Sequence, residues 1–100
     1  MDYRASCTTE YLAPEAQKAL LDRLSRIEGH VRAIRRMVEE RRCTDEILIQ
    51  VAAVRAALNK FAGALITHEL EHCVYGCMEG EAEERLKRVT RAMATLLKQN

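Results

Sequence analysis

The chain has no tryptophan, one phenylalanine, one proline and four glycines in 100 residues. β-Branched residues never alternate with polar ones over a useful window, which excludes a sheet-based fold. No uninterrupted apolar run approaches the roughly 20 residues of a membrane span. Met1 to Glu10 is polar and lacks the apolar stretch of a signal peptide. The expected location is therefore the cytoplasm, without a membrane partner. There the four cysteines, Cys7, Cys43, Cys73 and Cys77, should be reduced, which favours ligand or redox-sensing roles over structural disulfides.

What fills the sequence is Ala, Leu, Glu and Arg, the strongest helix formers. The expected fold class is all-α, in one domain of residues 15–100 behind a flexible N-terminal arm of residues 1–14. A chain this short buries too little surface to be generously stable alone, so a homodimer or homotetramer is expected.

The net charge of +1 conceals a segregation. Residues 18–38 carry six Lys or Arg against two acids, and residues 85–100 carry five basic residues and no acid. Residues 43–84 hold Arg55 and Lys60 against eight acids. Basic ends around an acidic middle give a local anion-binding surface on an otherwise balanced protein.

Pro14 and Glu15 suit the first turn of a helix. From there Leu20, Leu24, Ile27, Val31, Ile34 and Val38 fall in alternating steps of four and three, a heptad seam that should end in Glu39–Arg42. A second helix should open at Thr44 or Asp45, each a good N-cap. Its seam runs Ile47, Val51, Val54, Leu58, Phe61 and Leu65 among many alanines, and Gly76 and Gly80 should bracket its end. A short third helix, roughly Glu81 to Lys98, puts Leu86, Val89, Met93 and Leu96 on one stripe.

The second seam continues past Leu65 to His68 and His72, and backwards from Ile47 to Cys43. Metal-competent groups therefore sit at both ends of an apolar stripe and should be buried against a partner. Cys43 and His68 are separated by about 37 Å of helix at 1.5 Å per residue, too far to share an ion within one straight helix. If two copies of this helix cross antiparallel near Ala56, Cys43 of one lies beside His68 and His72 of the other. Two imidazoles one turn apart with a thiolate suit nickel, cobalt, copper(I) or zinc.

The stretch Arg23-Leu-Ser-Arg-Ile-Glu-Gly-His-Val-Arg32, then Met37-Val-Glu-Glu, Cys43, Ile47-Leu-Ile-Gln-Val-Ala-Ala-Val54 and His68-Glu-Leu-Glu-His-Cys-Val74, resembles the CsoR/RcnR family of copper-, nickel- and cobalt-responsive repressors. That family also has relatives that sense formaldehyde or sulfane sulfur. The resemblance covers residues 15 to 97. It implies a three-helix protomer with two long antiparallel helices and a short third, assembled as a dimer of dimers. It also implies a repressor that holds operator DNA when ligand-free and releases it when its site is filled.

The sequence departs from the family pattern by one residue. Aligned without gaps from Gly29 to Val54, the usual cysteine falls on Thr44, the usual histidine on Glu69, and the third ligand on Cys73. Two registers stay open. In one, Cys43, His68 and His72 bind the metal, with Cys73 as a fourth ligand. In the other, Cys43 and Cys73 resemble the two-cysteine pairing of the sulfur-sensing branch, and the inducer is a persulfide or an aldehyde. By similarity to nickel–cobalt members, which recruit an N-terminal ligand, Cys7 is a further candidate. Cys77, one turn beyond Cys73, could form a thiolate pair with it, and His30 reads as a helix-face residue.

No helix-turn-helix, zinc finger or basic zipper is visible, and no enzyme constellation stands out. Operator binding would come from Arg23, Arg26, Arg32, Arg35, Arg36 and Arg55 meeting phosphates. A metal-buffering helical bundle without a DNA role is the reading from a different class.

Overall fold

The computed structural model describes residues 8–75 and 79–98, with the backbone alone for residues 74–75 and 79–82. Among the described residues there are three helices and no strand: α1 (Pro14–Glu39), α2 (Thr44–Tyr75) and α3 (Glu79–Lys98). The all-α expectation is met. Gly80 lies inside the first turn of α3, so it does not bracket the end of α2, and Gly76 lies outside the described residues.

Pro14 occupies the first turn of α1, where its missing amide is not needed, behind an extended Ala13. The helix closes with the Arg41 amide donating to the Val38 carbonyl at 3.1 Å and the Arg42 amide to the Met37 carbonyl at 3.0 Å. That pair of bonds is a Schellman motif, and the residue it forces left-handed is Arg41, at φ 57°, where glycine is usual. The chain then re-enters helix at once. The Cys43 carbonyl accepts from the Ile47 amide at 3.2 Å, so Cys43 is the capping residue of α2, one or two positions earlier than the sequence suggested. The tight left-handed turn leaves no room for a longer link.

The chain divides into two compact units, Leu12–Leu65 and the segments on either side of it. In Leu12–Leu65, α1 runs antiparallel to the first part of α2. Arg23, Ile27 and His30 meet Ala57 and Lys60, and Nε2 of His30 hydrogen-bonds Oε1 of Gln50 at 2.7 Å. Leu20, Ile27 and Val54 form the buried centre. The second unit joins the end of α2 to α3 and to residues 8–11, around Cys73, Glu69 and Arg85.

Each heptad seam is split between two faces. On α1, Leu20 and Ile27 are buried and Ile34 half-buried, while Val31 and Val38 stand open; on α2, Val54 is buried while Val51 and Leu58 stand open. These four valine and leucine side chains are 37 to 58% exposed. Leu48 and Ile49 are exposed as well, so apolar side chains ring α2. By length and composition Thr44–Cys73 is long and apolar enough to cross a membrane, contrary to the expectation from the sequence; Arg55 and Lys60 break the stretch but leave its mean hydropathy high. A helix apolar on all sides needs cover on all sides, and α1 supplies one.

An apolar surface of this extent calls for a protein partner. The protein should sediment as a dimer or tetramer at micromolar concentration, and Leu58→Glu should lower the mass by charging the open half-seam. A single species of 11.4 kDa in the unsubstituted protein would contradict this.

Candidate functional site

The last turns of α2 carry two stripes of potential ligands. Glu69 and Cys73, four residues apart, are buried at 9 and 6% exposure. His68 and His72, also four apart, are half-buried on a stripe about 100° away. The one-residue displacement noted in the sequence is therefore a physical choice between an inward and an outward face.

The inward face is occupied by a polar cluster. Nη2 of Arg85 on α3 donates to Oε2 of Glu69 at 2.7 Å, with both side chains nearly buried. The same nitrogen donates to the Thr8 carbonyl at 3.3 Å, and the guanidinium carbon stands 5.4 Å from the centre of the Tyr11 ring. Tyr11 in turn stacks on His72, ring centres 4.2 Å apart and planes 8° from parallel. Arg85 thus links α2, α3 and residues 8–11.

The electrostatics follow from this arrangement. Burial opposes ionisation of Glu69, but the bond from Arg85, the Tyr11 hydroxyl and the Arg85 charge together outweigh it, and the carboxyl titrates below its ordinary value. Burial, then the Glu69 carboxylate, push the Tyr11 phenol well above its ordinary value. The buried phenol oxygen falls outside strict hydrogen-bond geometry. Proximity to a charged carboxylate is the firmer part of that contact. Glu69 is held as an anion by a cation, which leaves little of it for a metal.

The candidate ligands are divided between the two units. Cys43 is a free, exposed thiol at the start of α2 in the Leu12–Leu65 unit, whereas His68, His72 and Cys73 belong to the other unit. Among the described residues no group of three His, Cys, Asp or Glu side chains is gathered to hold a metal. Thr44, at the family's usual cysteine position, is the first residue of α2 and has no metal-binding thiol. Cys7 and Cys77 lie outside the described residues. As donors, two imidazoles and the thiols Cys43 and Cys73 fit a borderline-soft transition metal.

A second feature lies on Leu12–Leu65. Arg23, Arg26, Ile27, His30, Ala57 and Lys60 line an open groove of about 170 Å³. Lys60 was missing from the sequence-based set, although Arg55 of the same acidic segment was in it; in the fold it lines one groove with Arg23 and Arg26. Arg32, Arg36 and Arg55 are exposed. Arg35 is also exposed but bonded to Glu39 at 3.0 Å, so part of its charge is already answered. His30 is tied to Gln50 and joins the groove wall, in keeping with a helix-face role.

An all-helical protein with soft donors at the ends of one helix and a cationic groove has the build of a ligand-responsive DNA-binding regulator. The chain belongs to the family of metal-sensitive transcriptional repressors, whose model matches residues 16–98. It is 35% identical over 80 residues to the copper-sensing transcriptional repressor CsoR of Bacillus subtilis, covering 79% of each chain. With the copper-sensing transcriptional repressor RicR of Mycobacterium tuberculosis the identity is 39% over 79 residues, 76% of this chain and 82% of that one. The transcriptional repressor RcnR of Salmonella typhimurium is 31% identical over 83 residues, 82% of this chain and 92% of that one. Among solved structures, the nickel-responsive transcriptional regulator InrS superposes with a TM-score of 0.66 at 40% identity, over 79% of this chain and 90% of that one.

The Glu69–Arg85 pair has a direct consequence for stability. Arg85→Ala strands a buried carboxylate and should cost about 3–5 kcal/mol, whereas replacing both residues with leucine should cost much less. Chemical denaturation at one fixed protomer concentration makes the comparison. Equal losses in the single and double variants would show that the cost does not come from leaving the Glu69 carboxylate unpaired.

Proposed function

We propose that this protein represses transcription in the cytoplasm by holding operator DNA through phosphate contacts. It releases the DNA when a transition metal binds Cys43 of one protomer together with His68 and His72 of its partner. The observation that carries this reading is the division of α2 into two stripes. Glu69 and Cys73 are turned inward, the former committed to Arg85, while His68 and His72 remain half-exposed one turn apart. The exposed Cys43 thiol, some 25 residues earlier on the same helix, is beyond reach within a straight chain. An antiparallel pair of α2 helices, covering the open half-seam Val51 and Leu58, brings it to the histidines of the other copy.

In this reading each residue has a separate task. Cys43 supplies the soft anionic donor, and the two imidazoles bind through ring nitrogens once deprotonated. Cys73 joins only if α2 shifts enough to expose its thiol. The metal, copper(I), nickel, cobalt or zinc, supplies charge and a fixed coordination geometry that ties two protomers together. Arg23, Arg26 and Lys60 at the groove, with Arg32, Arg36 and Arg55 nearby in sequence, meet phosphates, and Arg35 contributes less because of Glu39. Phosphate contacts give affinity without sequence choice, so the salt dependence should be steep.

The DNA half is tested by charge reversal. Arg23→Glu and Lys60→Glu should each abolish operator binding at physiological salt and leave metal uptake intact, read by fluorescence anisotropy and by chelator competition. Normal DNA binding by both variants would move the interface elsewhere on the protein.

The metal half is tested by ligand removal. Cys43→Ala should remove most of the affinity and all metal-driven release of DNA, His68→Ala and His72→Ala should each weaken binding at least tenfold, and Cys73→Ala should be milder. A persulfide or aldehyde sensor would respond differently: Cys43→Ala and Cys73→Ala would be equally damaging and His68→Ala silent. The low exposure of Cys73 disfavours that outcome, since a reactive thiol has to be reached. A metal buffer without a DNA role would show no operator complex even at low salt.

A further inference from the structure

We propose that Tyr11 is a positioning residue for His72, held in place by Arg85, so that the segment at Thr8–Tyr11 forms a working part of the ligand-binding end of α2. The inference rests on the reading of His72 as a ligand and adds to it a residue from outside the three helices. Three observations converge on it. The Tyr11 ring lies flat on the imidazole, 4.2 Å between centres and 8° from parallel. The Arg85 guanidinium stands 5.4 Å from the centre of the same ring and also bonds the Thr8 carbonyl, so the segment is fixed at two points. Arg85 is itself anchored on Glu69, in the same turn of α2 as His72.

The geometry decides what such a contact does. A histidine ligand binds a metal through a nitrogen lone pair in the plane of the ring. A partner stacked on the ring face leaves both nitrogen edges free while removing rotation of the ring about its side-chain torsions. His72 is then ordered before the metal arrives, and the entropy of ordering it is not charged to binding. Among the described residues no ring stacks on His68, one turn earlier, so the two imidazoles of one turn-pair differ in how far they are set in advance. The Tyr11 hydroxyl is not needed for this. It lies against Glu69, whereas the stack depends on the ring alone.

The test uses the full-length protein with cobalt(II) as the probe, whose visible absorption reports its ligands. In the metal-free protein, proton resonances of the His72 ring should be shifted upfield by the Tyr11 ring. That shift should be kept in Tyr11→Phe and lost in Tyr11→Leu, which preserves apolar bulk without the flat face. Cobalt(II) affinity should be near wild type in Tyr11→Phe and fall about threefold to tenfold in Tyr11→Leu. In a His72→Ala background the same Tyr11→Leu change should have no further effect on the residual affinity. Unchanged or tighter binding by Tyr11→Leu overturns the proposal, as does an equal loss in the His72→Ala background, which would make Tyr11 a structural residue only. If His72→Ala itself leaves cobalt(II) affinity unchanged, the ligand reading fails instead, and the two failures are told apart.

Discussion

A helix of 32 residues with apolar side chains around its whole circumference cannot be satisfied by one neighbour. In α2 this constraint comes before function. One side meets α1 through Val54, Ala57 and their neighbours, and the other presents Val51 and Leu58 with nothing from the Leu12–Leu65 unit to cover them fully. Alanine at so many intervening positions lets a second helix approach closely. Pairing along α2, as proposed, would allow ligand sites to be built from two chains, and the residues towards the two ends of that helix are a thiol and two imidazoles. The pairing surface and the proposed sensing site are in this sense one design.

The second organising interaction is the buried Arg85–Glu69 pair. Such a pair adds little net stability compared with packed apolar residues, but it is unforgiving of the loss of either member. Its use here is orientation. It occupies the inward stripe of α2, where the Cys73 thiol is also buried, and leaves His68 and His72 half-buried on the neighbouring stripe. A free carboxylate at Glu69 would be a competing hard ligand beside His68; bonded to Arg85, it is withdrawn from that role.

Much of the fold was legible in the sequence because its determinants are local. Pro14 set the start of α1, and the run of steps by three and four gave both long helices their faces. Arg41 was not legible as a left-handed residue, since no glycine marks the turn and the Schellman bonds that hold it arise only when α1 ends at Glu39. The half-open state of each seam could be inferred only as a need for partners, since the heptad pattern does not say which positions one's own chain will cover. The site was legible in its ligand types but not in its supports. Tyr11 meets His72 across 61 residues and Arg85 meets Glu69 across 16, and neither pair leaves a periodic signal. Lys60 was overlooked for the same reason: only the antiparallel packing of α1 and α2 puts it in one groove with Arg23, and no periodicity links the two.

Linkage sets the terms on which metal and DNA can oppose each other in a repressor of this family. If a bound metal lowers affinity for the operator by some factor, the operator must lower affinity for the metal by the same factor. That requires an element with contacts to both ligands and more than one arrangement. α2 is the one helix that spans both units. It supplies Lys60 to the cationic groove, and His68, a proposed ligand, follows eight residues later in the sequence. In the proposed switch, a change in the setting of α2 that brings His68 and His72 to a partner's Cys43 would act on Lys60 through the helix they share. Several phosphate contacts made or lost together change affinity by orders of magnitude, and that leverage is what the proposed switch would use.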